Sequence, residues 1–195
     1  MNKEYWNDVA TKGVILGALM LASHIFEQMS VLSGSMVWMA FMSLEMLIVA
    51  AVYIFLIYRF AKKASLKFFQ PQTGFSFGQG VLYVWLICVS AGVLVGLGSY
   101  IHMHFIVGYE AYFDRLYDSL ETIIDNSGMP SSIKGVYLQT LDQIGEQPEP
   151  NVISSVISTM FSYGLTGCII GLVIAGFVKR EPNPFGNENK SEGEI

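Results

Sequence analysis

Charge is scarce in this sequence. Only 14% of its 195 residues are Asp, Glu, Lys or Arg, where a soluble domain carries about 25%. Cysteine is scarcer still. Cys88 and Cys168 both lie inside apolar runs, so neither suggests a disulfide framework. Catalytic signatures are missing as well: there is no nucleophile elbow, phosphate-binding glycine loop, Cys-x-x-Cys pair or His-Glu-x-x-His helix. An enzyme reading therefore has little support, and no cofactor is implied. A nucleic-acid surface is excluded too, because the basic cluster Arg59, Lys62, Lys63 and Lys67 hugs the end of an apolar run.

Apolar residues dominate what is there. The hydrophobic set makes up 52% of the chain, the mean hydropathy is +0.46, and the few charges fall in blocks between long apolar stretches. That segregation is the signature of a membrane protein. A spanning helix needs roughly 20 mostly apolar residues. Four stretches meet this, at about 9–31, 35–58, 77–107 and 152–178. Val81–Ile101 and Val152–Val178 carry no charge. The second stretch is interrupted only by Glu45, and the first includes Lys12, His24 and Glu27.

Gly13–Ala22 also fits the short core of a secretory signal. The residues before it (Lys3, Glu4, Asp8, Lys12) have no net positive charge, and no clean cleavage site follows. An uncleaved span is favoured, with Lys12 snorkelling to the interface. The fold expected is thus an all-α integral membrane four-helix bundle over 1–180, with an extracytoplasmic insert at 108–150 and a disordered tail at 181–195. A tight turn at Ser33-Gly34-Ser35 joins the first two spans.

Orientation follows Lys and Arg. The loop between spans two and three is basic, and Lys179 and Arg180 follow span four, which places that loop and both termini in the cytoplasm. Tyr5, Trp6, Tyr58, Tyr83 and Trp85 then sit where inner interfacial anchors belong, with Trp38 and Tyr100 at the outer interface.

The segment from Gly108 to Pro150 holds eight acids against Arg115 and Lys134. Apolar residues recur in it at three- and four-residue intervals, predicting helices near 109–126 and 131–145. Phe113, Leu116, Leu120, Val136 and Leu141 are expected to be buried against each other or the bundle. The segment either caps the outer mouth of the bundle or lies on the bilayer surface, or else it docks a partner or cationic ligand.

Three spans carry Gly-x-x-x-Gly pairs: Gly13/Gly17, Gly92/Gly96 and Gly167/Gly171. Such pairs let helix backbones approach closely. By depth, the first pair is expected against the third, either within one chain or across a homo-oligomer interface. Ionisable residues inside spans are costly, by roughly 2.5–3.5 kcal/mol near the bilayer centre, and so face inward towards partners. His24, Glu27, Glu45 and His102 form a candidate intramembrane cluster, with Glu45 expected within hydrogen-bond reach of a polar group on helix one or three. Three readings stay open for it: a structural hydrogen-bond network, a proton or solute pathway, and a metal or haem site. His104 reads as interfacial.

At Phe75-Ser76-Phe77-Gly78-Gln79-Gly80 a polar turn leads into Ser-Phe-Gly-Gln and a long glycine-bearing helix. This motif, with Phe77, Gly78 and Gln79 at its centre, resembles the bacterial four-span family called domain of unknown function 4199. The order of elements is similar over most of the chain. The resemblance implies the four-span fold and the bacterial inner membrane, and transfers no functional residue. Two functions fit these features: an accessory protein that positions another envelope component, and a small oligomeric transporter or proton-coupled channel. The partners expected are the lipid bilayer and either a second copy or another envelope membrane protein.

Overall fold

Pro71, Pro130, Pro150 and Pro182 lie outside the helices, which run between them. The computed structural model describes residues 3–33, 36–126, 128, 130–145 and 149–182. Its α-helices are α1 (Lys3–Leu32), α2 (Met36–Lys67), α3 (Phe77–Ile101), α4 (Tyr109–Asn126), α5 (Ser131–Gly145) and α6 (Val152–Val178). A wider π-helical stretch, His102–Val107, continues α3 as far as Gly108. Among the described residues there are no strands, and the chain is an all-α bundle. Four helices, α1, α2, extended α3 and α6, are long and apolar enough to cross a membrane. The hairpin turn at 34–35, the helix end at Ser127 and the tail from 183 onwards lie outside the described residues.

The stretch read as a basic loop is helical through Lys67. Arg, Lys, Ala and Leu are strong helix formers, and the first breaker is Pro71. The chain then reverses between Gln70 and Gly74, where a φ of 71° favours glycine.

Helix α3 is the hub, with α1 and α6 packed along it, while α2 packs mainly on α1. The glycine pairs set this arrangement. A Cβ on Gly92 would lie 2.9 Å from Met160 Cα, and one on Gly96 would lie 2.9 Å from Val156 Cα, both on α6. From the other side, Gly167 leaves 2.6 Å to Cys88 Cβ, and Gly171 leaves 3.3 Å to the Val81 carbonyl oxygen. Gly13 abuts Ser90, and Gly17 leaves 3.0 Å to the Ala91 carbonyl oxygen. Gly13/Gly17 therefore docks on α3 and not, as expected from depth, on Gly167/Gly171. The reason is that α3 has small residues on two faces, Ser90–Ala91 for α1 and Gly92–Gly96 for α6. It offers both neighbours a closer approach than they could offer each other.

The tightest core lies towards the basic-loop end, where Leu16, Ile57, Tyr83, Val84, Ile87, Cys88 and Ala91 are fully buried. In lipid such residues gain from close packing more than from leaving water. Tyr83 is thus a core residue and not an interfacial anchor. Its hydroxyl donates to Asp8 Oδ2 at 2.6 Å, and Lys67 Nζ sits 3.0 Å from Glu4 Oε1 beside it. Lys12 holds its ammonium 5.1 Å over the Phe60 ring, an apolar stem against protein with a cation–π contact at its tip.

The Phe75–Gly80 motif is the start of α3. Ser76 caps the helix, accepting from Gln79 N at 3.2 Å, while Ser76 N donates to Gln79 Oε1 at 2.7 Å. This reciprocal box satisfies two backbone donors that a helix end leaves open. Phe75 is buried and exchanges two backbone hydrogen bonds with Arg180, each 2.9 Å. Gly80 packs against Ala175, whereas Gly78 has open space around it.

Helices α4 and α5 occupy the expected positions. On α4, Ser119 and Ile124 are buried and Phe113, Leu116 and Leu120 half-buried. Helix α5 rests on α4, held by Lys134 Nζ at 3.1 Å from Asp125 Oδ1. Val136 is 64% exposed, against the expectation that it is buried, because α5 packs mainly on α4 and Val136 lies off that contact. The side chain of Leu141 lies outside the described residues.

Candidate functional site

On α1, positions three and four residues apart share a face, and His24, Glu27 and Gln28 are such a set. Gln28 is buried and reaches across to His102, which opens the π-helical stretch after α3 and is itself buried. His102 Nδ1 and Gln28 Oε1 are 2.8 Å apart, and Gln28 Nε2 lies 3.2 Å from His24 Nε2. With the amide so oriented, His102 donates to Gln28 and Gln28 donates to His24. A neutral His24 then carries its proton on Nδ1, which faces Glu27 Oε2 at 3.5 Å. The result is a connected chain, His102–Gln28–His24–Glu27, running from the end of α3 along α1.

Gln28 was the missing member. An inventory of ionisable residues passes over a neutral amide. The signal lay in its spacing, one turn beyond His24 and on the same face.

Glu45 stands apart. It lies half-buried in a hollow formed with Phe26, Trp38, Phe41, Leu44 and Ile48, and its Oε2 is buried with no hydrogen-bond partner. The expected link to a polar group on α1 or α3 is not made, since His24 turns to Glu27 and Gln28 on its own helix. Equal depth does not bring two side chains together unless both point along the line between the helices.

His104 is not a free interfacial residue. Its Nδ1 donates to the Tyr100 carbonyl at 2.9 Å, and its ring stacks on Tyr100 with centroids 3.8 Å apart. Its Nε2 lies 2.9 Å from Glu149 Oε1 without hydrogen-bond alignment. His104 thereby ties the end of span three to the segment leading into span four. Nearby, burial and then the Glu149 carboxylate hold the Tyr109 phenol above its usual range.

Glu27 also lines a hollow of about 380 Å³ between α1, α2 and α6. Ser23, Tyr53, Ser162, Tyr163 and Thr166 line it together with Met20, Met46, Val49, Ile54 and Ile170, and its surface is mostly apolar. The space exists because α2 barely touches α6, leaving a wedge beside the tightly packed α3–α6 pair. At its back wall the Tyr53 hydroxyl donates to Cys88 Sγ at 3.3 Å. Among the described residues, no three His, Cys, Asp or Glu side chains converge in a way that could hold a metal ion.

Residues 11–180 match the family described as protein of unknown function DUF4199. The chain belongs to the DUF4199 family. No curated protein and no solved structure shows significant similarity to it. In this DUF4199 chain the matched region takes in the polar chain, the Glu27 hollow and the capped start of α3. It also takes in the three glycine pairs that dock α1 and α6 on α3.

Proposed function

We propose that this protein is an accessory component of the bacterial inner membrane that positions another envelope protein through its acidic helical insert. In this reading the basic end of the bundle and both termini are cytoplasmic and the insert is extracytoplasmic. The observation that carries it is the uncovered stripe of α5. Ile133 is 45% exposed, Val136 64% and Tyr137 53%, and α4, on which α5 packs, carries the exposed acids Glu110, Asp114, Asp118 and Glu121. An anionic bilayer surface repels those acids. A protein face with apolar residues ringed by Lys and Arg matches both features.

A photo-crosslinking residue at position 136, activated in native membranes, tests this. A discrete crosslinked protein, lost when Ile133 and Tyr137 are changed to Ser, supports the reading. Crosslinks to lipid alone refute it.

A second reading, a small oligomeric transporter or proton-coupled channel, is favoured by the polar chain that ends at Glu27 in the hollow. Its test is proton flux into proteoliposomes measured with an internal pH dye. Flux equal to that of protein-free liposomes removes it.

A further inference from the structure

The Glu27 hollow combines features that select one kind of occupant. Among the described residues, those that line it include Glu27 and no Lys or Arg. His24, at 3.5 Å, is the basic group beside that carboxylate, and Gln28 already occupies the other nitrogen of its ring. A carboxylate among helices in lipid is costly unless a cation or a proton meets it. Two tyrosines, Tyr53 and Tyr163, line the same hollow, and aromatic faces attract organic cations. The remaining surface is apolar and includes Met20 and Met46, whose flexible thioethers adapt to irregular shapes. At about 380 Å³ the space falls in the range of small-molecule pockets. It is far larger than a bare metal ion needs, and its wall lacks a ligand set for one.

We propose that the hollow between α1, α2 and α6 is a binding site for a lipophilic organic cation. Its charge rests on the Glu27 carboxylate and the tyrosine faces, and its apolar body lies against Met20, Met46 and Ile54. The wedge between α2 and α6 is the way in, so the ligand arrives from the bilayer and not through the water-facing ends. Glu27 supplies the selection for charge. The thioethers and aliphatic side chains tolerate varied shapes, so a range of lipophilic ammonium or phosphonium compounds should bind.

The test uses tetraphenylphosphonium and tetraphenylborate, ions of the same shape and opposite charge, with the full chain in nanodiscs of zwitterionic lipid. Saturable binding of the cation and none of the anion is expected. Glu27→Gln should weaken cation binding by at least about tenfold, the loss expected when a buried charge partner is removed. Equal binding of both ions, or unchanged affinity in Glu27→Gln, would overturn the proposal. Should Glu27→Gln fail to fold, Ile54→Trp serves in its place, filling the hollow from α2 while keeping the carboxylate. Loss of cation binding in Ile54→Trp supports the site, and retained binding overturns it.

Discussion

Gln28 on α1 and His102 at the end of α3 meet across 2.8 Å, both buried. Towards the basic-loop end these two helices are held by backbone-close contacts at Gly13 and Gly17. Near the hairpin end a side-chain hydrogen bond joins them. The helix pair therefore uses packing at one end and a polar bond at the other. The polar bond also decides where His24 directs its proton.

Replacing Gln28 by Leu should be costly, because it leaves the His102 Nδ1–H buried without an acceptor. The expected loss is about 1–3 kcal/mol, read by reversible unfolding in mixed micelles. Gln28→Glu keeps an acceptor for His102 and should lose less. Equal stability of Gln28→Leu and the parent chain would show that the bond contributes nothing.

The glycines should divide sharply. Gly92→Ala and Gly167→Ala put a Cβ within 2.9 Å and 2.6 Å of α6 and α3 atoms respectively, and overpacking of this kind costs about 1–3 kcal/mol. Gly92→Leu should not fold. Gly78, despite its place in the family motif, has open space around it. Gly78→Ala should be neutral or stabilise by up to ~1 kcal/mol through helix propensity. Thermal aggregation measured by size exclusion checks all four variants.

Glu45 has a buried oxygen with no partner, so removing the carboxyl should not harm the fold. Glu45→Leu is expected to match the parent or exceed it by roughly 1–3 kcal/mol, the penalty of an unsatisfied polar group. A marked destabilisation would mean that Glu45 has a partner in the membrane, such as a second copy of the chain. If Glu45 carries protons in transport, Glu45→Gln should fold normally and lose flux.

The proposed orientation places Lys63 in the cytoplasm and Asp118 outside. Single cysteines at these positions, in a chain whose Cys88 and Cys168 are replaced by Ala, should respond differently to a membrane-impermeant maleimide. In intact spheroplasts position 118 should label and position 63 should not. The reverse pattern would invert the topology and move the insert to the cytoplasm.

Much of this architecture was legible from the chain. The four long helices follow from apolar run length. Helices α4 and α5 follow from three- and four-residue periodicity, and the start of α3 from the polar turn that precedes its apolar run. These features depend on residues close in sequence, so local chemistry decides them. The basic stretch after the second span reads as a loop in the sequence and is helical in the structure. Basic residues mark a membrane boundary, but they do not break a helix, and α2 continues to Lys67.

Lateral arrangement was not legible. Depth along each helix could be counted, but depth does not say which neighbour stands beside which. That was settled by α3, whose small residues on two faces let both α1 and α6 come closer to it than to one another. The same limit explains Tyr83, an aromatic at an interfacial depth that turns into the core to meet Asp8. It explains Glu45 as well, level with His24 yet facing Phe26, Trp38 and Phe41. The sequence by itself determined which segments are helical and where most of them begin and end. Only the tertiary structure decided which residues are partners, because rotation about a helix axis and the choice of neighbour depend on how closely whole surfaces can approach.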